Sequence, residues 1–239
     1  MIGVIGGMGP LATADFLHKV IAATPAEDDE QHVPLLISND PRIPRRPAAI
    51  LQGGESPLPR LLEIRDRLIQ AGATALVMPC NTAHHWHSDL QRGCTVPFPS
   101  LIDIACDAAA ARTTESACIG LVATRATLAA GLFDAALAAR GRRVLRPTDA
   151  TLDTAMLPAI AHVKAGRLAQ AGPLMAQAVQ GLLDHGADLV VLACTEAPIA
   201  LAAVPGDLQG QCVDSTLALA EATVRLWQQS AAGSALRGA

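Results

Sequence analysis

The segments Gly72-Ala73-Thr74-Ala75-Leu76-Val77-Met78-Pro79-Cys80-Asn81-Thr82-Ala83 and Gly186-Ala187-Asp188-Leu189-Val190-Val191-Leu192-Ala193-Cys194-Thr195-Glu196-Ala197 are two versions of one pattern. In each, Gly-Ala is separated by six residues from Cys, a polar pair follows, and every matched position keeps an offset of 114. The apolar run before each Cys reads as a buried strand, and the polar pair after it as the start of a helix. Outward from this core the likeness loosens. Ile2-Gly3-Val4-Ile5-Gly6-Gly7 resembles Ile119-Gly120-Leu121-Val122-Ala123-Thr124, and Ile102-Asp103 resembles Val213-Asp214. Such a spacing is far beyond the ~20–50 residues of solenoid repeats, so it reads as two similar lobes.

Short β-branched or Leu-rich runs at 2–5, 33–38, 75–78, 119–122, 143–145 and 189–192 alternate with Ala/Leu-rich segments of helical length. That alternation predicts an α/β protein. Each of the two similar lobes is expected to have a mainly parallel sheet flanked by helices; if a pseudo-twofold relates them, the cleft between them is where an active site is expected. The first lobe is expected over 1–100 with 209–239, and the second over 101–208.

The chain has 239 residues, of which 51% are hydrophobic and 17% charged, enough to fill a core and too apolar for a disordered chain. No charge-free apolar run reaches the ~18 residues of a membrane span, so no membrane partner is expected. The net charge of −4, the lack of a basic block and the scarcity of aromatics (three Phe, two Trp, no Tyr) exclude nucleic acid as an expected partner. Met1 opens an apolar segment with no basic region before it, so the cytoplasm, where thiols stay reduced, is the expected compartment. The six cysteines then mean chemistry or packing rather than disulfides.

Cys80 and Cys194 each fall at the carboxyl end of a parallel strand and beside a helix start. Backbone N–H groups there are expected to stabilise a thiolate and lower its pKa from ~8.5. Two thiols facing one cleft suit the removal of a proton from one face of a stereocentre and its return on the other. One must be thiolate while the other is thiol. A single such cysteine would read as a core residue; two in matched contexts read as a working pair.

Gly6-Gly7-Met8-Gly9-Pro10-Leu11-Ala12-Thr13, Met78-Pro79-Cys80-Asn81-Thr82-Ala83-His84 and Ala193-Cys194-Thr195-Glu196 resemble the three signatures of the cofactor-independent aspartate/glutamate racemase family, nearest its aspartate racemase branch. The resemblance runs over nearly the whole chain. It implies two-lobed α/β subunits, a homodimer, and racemisation of a free acidic amino acid without pyridoxal phosphate or metal, with Cys80 and Cys194 as the acid/base pair. Glutamate, broad-specificity and hydantoin racemisation stay open within the same superfamily. A lobe pair that binds a dicarboxylate without turnover is the alternative outside it.

Two substrate carboxylates need fixed cations and N–H donors. Arg46, in the Pro-rich loop after the second strand, has a fork suited to a carboxylate and matches the family's substrate-contacting Arg. It is flanked by Arg45 and Pro47 instead of the family's Asp and Thr, so Arg45 is a second candidate. Lys164 is one of two lysines against 16 arginines, in a chain that nearly always chooses Arg, and it too agrees with the family pattern. Met8 in the glycine loop, with Asn81, Thr82, Thr124, Thr195 and Glu196, completes the expected substrate-binding set, although each N-cap type is also explained by capping alone.

Gly7-Met8-Gly9-Pro10-Leu11-Ala12 has the G-x-G-x-x-A form of a dinucleotide site but lacks the acidic residue expected ~20 positions on, so no nucleotide cofactor is expected. Cys80, His84 and His87 have metal-compatible spacing without a second ligand cluster, and no metal is expected either. His84 is expected to lie near the cleft and tune the Cys80 thiol, and Cys94, Cys106, Cys118 and Cys212 to be structural.

Overall fold

In the computed structural model, which describes residues 1–235, β1 (Ile2–Gly6) is buried along its whole length at the centre of the first sheet. Burial on both faces is the condition of a parallel strand covered by helices. After β1 come α1 (Pro10–Ala23), β2 (Leu35–Asn39), α2 (Arg46–Gln52), α3 (Leu58–Gln70), β3 (Ala75–Val77), α4 (His87–Gln91) and α5 (Leu101–Ala111). The sheet order is β2-β1-β3, all parallel, with Val4 opposite both Ile37 and Val77. Beyond β3 the Leu76 N–H donates to the Pro97 carbonyl at 2.8 Å. Pro97 and Pro99 have no N–H to donate, so this edge segment makes no ladder.

The second lobe repeats that order. It contains β4 (Cys118–Val122), α6 (Arg125–Ala130), α7 (Leu132–Ala138), β5 (Arg143–Leu145), α8 (Asp149–Thr151), α9 (Leu157–Lys164), α10 (Leu168–Asp184), β6 (Leu189–Leu192), α11 (Ala197–Leu201), β7 (Cys212–Asp214) and α12 (Ser215–Ala235). Its strands run β5-β4-β6-β7, all parallel, so β4 and β6 occupy the places of β1 and β3. The fold is the expected two-lobed α/β architecture of parallel sheets flanked by helices.

Within the expected segment 209–239, β7 is the edge of the second sheet and α12 packs along α1 and α5. Residues 236–239 of that expected segment lie outside the described residues. The likeness of Ile102-Asp103 to Val213-Asp214 is not a structural match, since the first pair is in α5 and the second in β7. The matching caps are Ser100, which accepts from the Asp103 N–H at the start of α5, and Asp214, whose Oδ1 accepts from the Thr216 and Leu217 N–H groups at the start of α12. They keep the offset of 114.

Side chains alternate along β1. Ile2 and Val4 join Phe16 of α1, Leu219 and Val224 of α12 and the second lobe's strands in one continuous core; Ile5 faces Leu61, Ile64 and Leu68 of α3. That shared core ties the lobes together. Lys19, the other lysine, adds a 2.6 Å ion pair from α1 to Asp214 at the end of β7. Among the described residues, no helix is long and apolar enough to cross a membrane.

Candidate active site

Cys80 lies just past β3 and Cys194 just past β6, at the carboxyl ends of equivalent strands. Both are 5% exposed and both line one cavity of ≈ 40 Å³ between the lobes. From the first lobe Met8, Arg46, Asn81 and Thr82 line it, and from the second Thr124, Lys164, Thr195 and Glu196. The predicted substrate-binding residues thus come together. Pro47, beside Arg46, completes the wall. Arg45 instead lines an adjoining cavity of ≈ 460 Å³, which shares Arg46, Pro47, Lys164 and Glu196 with the thiol pocket.

Asn81 and Glu196 read as caps, but neither side chain caps its helix. Glu196 turns back onto the sulfur: the Cys194 thiol donates to its Oε2 at 3.1 Å, and so does the Thr195 hydroxyl at 3.2 Å. Lys164 Nζ, on a side chain 60% exposed, is 3.6 Å from Oε1 of Glu196, whose side chain is only 7% exposed. The Asn81 amide donates through Nδ2 to Ser215 Oγ at 3.1 Å, while its Oδ1 is buried with no hydrogen-bond partner among the described residues. Thr124 does cap α6, accepting from the Thr127 N–H, and Thr127 Oγ1 lies 2.8 Å from Thr82 Oγ1 across the lobe boundary.

The thiols titrate differently from the expectation. Burial pushes Cys80 up and pushes Cys194 well above the ordinary thiol range. Nearby N–H groups do oppose this, from Ala83 on Cys80 and from Glu196 on Cys194. The helical pieces behind them are single turns of five residues, however, and their partial charge is too small to offset the loss of water. The two sites are unequal: Arg46 draws Cys80 down, whereas the Glu196 carboxylate adds to the rise at Cys194. Cys80 is therefore the easier of the two to ionise.

The glycine loop is held by Thr13, whose hydroxyl accepts from the Gly7 N–H at 2.9 Å and donates to the Gly9 carbonyl at 3.0 Å. This places Met8 in the pocket wall. His84 is not a partner of the Cys80 sulfur. Its Nε2 accepts from the Leu101 N–H at 3.0 Å, so the proton is on Nδ1, which donates to the Cys80 carbonyl at 2.8 Å. Burial holds its pKa down at about 3, and the neutral ring positions the Cys80 backbone. All six cysteines are free; burial drives Cys106 and Cys212 up to about 12, as inert core thiols.

Two equivalent strand-end thiols thus line one cleft between two parallel-sheet lobes of repeated strand order, the architecture of a two-lobed α/β protein. The chain belongs to the Asp/Glu/Hydantoin racemase family, whose model matches residues 5–223. It is similar to the Picrophilus torridus aspartate racemase, with 28% identity and a TM-score of 0.84 over 95% of this chain and 94% of that one. Its sequence is 24% identical to the broad specificity amino-acid racemase RacX of Bacillus subtilis, over 94% of this chain and 96% of the relative. Glutamate racemase from Francisella tularensis, determined in complex with D-glutamate, shares the fold at a TM-score of 0.69 and 17% identity, over 96% of this chain and 81% of that one.

Proposed function

We propose that the protein racemises a free acidic amino acid, aspartate, by a two-base transfer between Cys80 and Cys194 that uses no cofactor. The observation that carries this reading is the convergence of two buried thiols on one small cavity walled by the cations Arg46 and Lys164. One thiolate takes the Cα proton, and the electron pair of the C–H bond delocalises into the α-carboxylate. The opposite thiol then delivers its proton to the other face of Cα, leaving the enzyme with the thiol and thiolate exchanged. The hydroxyl and N–H donors of Thr82 and Thr124, with the Thr195 N–H, suit the α-carboxylate, where charge accumulates. Arg46 and Lys164 suit the side-chain carboxylate, and the free Asn81 Oδ1 is an acceptor for the α-ammonium.

Aspartate is favoured over glutamate by the similarity to an aspartate racemase along nearly the full chain. Glutamate, broader amino-acid and hydantoin substrates are outcomes of the same assay, because one methylene changes discrimination by only ~1–3 kcal/mol. In deuterium oxide, L- or D-aspartate is expected to lose its optical signal while the inverted product gains deuterium at Cα. A panel of enantiopure amino acids and hydantoins, followed by circular dichroism, reads out the preference. Tight binding of aspartate with no Cα exchange for any compound would instead leave a non-catalytic dicarboxylate-binding module. We also propose that the active form is a homodimer, measurable by sedimentation.

A second expectation concerns pH. Activity needs one thiolate and one thiol, so kcat/KM should rise as the first thiol ionises and fall as the second does. Because both thiols are raised, the optimum is expected on the alkaline side. Glu196→Gln removes a negative charge that opposes ionisation of Cys194, so the falling alkaline limb should move to lower pH, by about one unit. The shift should be the same from L- and D-aspartate, since racemisation has an equilibrium constant of one. An unmoved alkaline limb would exclude Glu196 from control of Cys194.

A further inference from the structure

We propose that Ser215, outside the pocket lining, is a positioning residue that sets the orientation of the Asn81 amide and couples the two cysteine loops; this rests on the racemase reading above. Ser215 is fully buried at the start of α12. Its hydroxyl donates to the Leu192 carbonyl at 2.8 Å and receives the Asn81 Nδ2–H at 3.1 Å. Leu192 ends β6 two residues before Cys194, and Asn81 follows Cys80 directly. One hydroxyl therefore bridges the loops that carry the two thiols.

Hydrogen counting makes the bridge directional. A serine hydroxyl has a single hydrogen, and here Leu192 takes it. Toward Asn81 the oxygen can only accept, so the amide must present its NH₂ to Ser215 and keep Oδ1 on the other side. That Oδ1 is the buried acceptor left without a partner at the pocket wall. A substrate ammonium needs an acceptor there; the reversed amide would present N–H donors and repel it. Without the Ser215 hydroxyl neither amide orientation is preferred, and the Leu192 carbonyl loses its donor.

Ser215→Ala is expected to lower kcat/KM for aspartate by about 30-fold, with most of the loss in KM, since the ammonium contact is made before and during proton transfer. In an Asn81→Ala background the same substitution should cost less than about threefold in kcat/KM, because no amide is left to orient and only the Leu192 contact is lost. Ser215→Thr, which keeps the hydroxyl, should stay within about threefold of the parent. A full loss in both backgrounds, no loss in Ser215→Ala, or equal losses in the Ala and Thr variants would overturn the proposal. Inversion by the unaltered protein is measured alongside. Its absence would refute the racemase reading, whereas its presence with an unaffected Ser215→Ala would refute only the role of Ser215.

Discussion

Cys80→Ala and Cys194→Ala are each expected to reduce inversion of aspartate by about 10³- to 10⁴-fold, a barrier increase of ~4–5.5 kcal/mol. Each sulfur serves one face of Cα, so removing either leaves one face without a proton donor or acceptor. The surviving thiol can still remove a proton from its own face and return it there. In deuterium oxide, Cys80→Ala should therefore exchange Cα of one enantiomer without inverting it, and Cys194→Ala should exchange the other. That reciprocal pattern would also assign each cysteine to an enantiomer. Inversion that persists in either variant would refute the two-base mechanism. The folded state should be little affected, because each change trims one buried sulfur from a pocket wall.

The second large effect concerns the glycine loop. Gly7→Ala is expected to destabilise the protein by on the order of 4 kcal/mol, combining backbone strain and overpacking. Gly7 has φ +93°, a conformation that favours glycine, and a Cβ built there would lie 2.3 Å from the Asp40 carbonyl oxygen. Asp40 cannot retreat easily: Arg42 and Arg60 both bind its carboxylate and hold it well below the usual carboxylate range. For a chain of this size the loss corresponds to a fall in Tm of about 8–16 °C. Because Met8 and the cysteine loops share one cleft, aspartate turnover should fall as well. A Tm within about 2 °C of the parent would show that the loop accommodates the methyl group and that the close approach is not required.

The segments around Cys80 and Cys194 could be paired from sequence because they are local: a buried run, a sulfur and a helix start in fixed order. The pocket residues were legible for a related reason, since strand-end loops of a parallel sheet converge whatever their distance along the chain. Less legible was the edge of each sheet. Pro97 and Pro99 disguise it in the first lobe, and three-residue β7 is too short to show a period in the second. Ser215 and Thr127 were missed because a buried hydroxyl in a helix leaves no pattern; their partners lie 134 and 45 positions away. His84 is expected near the sulfur from its place in the motif Cys80-Asn81-Thr82-Ala83-His84, whereas its ring nitrogens are both committed to backbone groups.

From its residues alone, the chain's α/β class, its internal duplication and the pairing of two thiols out of six follow, since periodicity, repeat offset and strand-end position are properties of order along the chain. Protonation is not such a property. Sequence position places each cysteine beside helix N–H groups, which favour a thiolate; folding buries both sulfurs, sets Arg46 beside one and Glu196 against the other, and raises them unequally. Electrostatic energy depends on distance through space and on the water excluded around a charge. Which thiol ionises first is therefore decided by how the lobes close on each other.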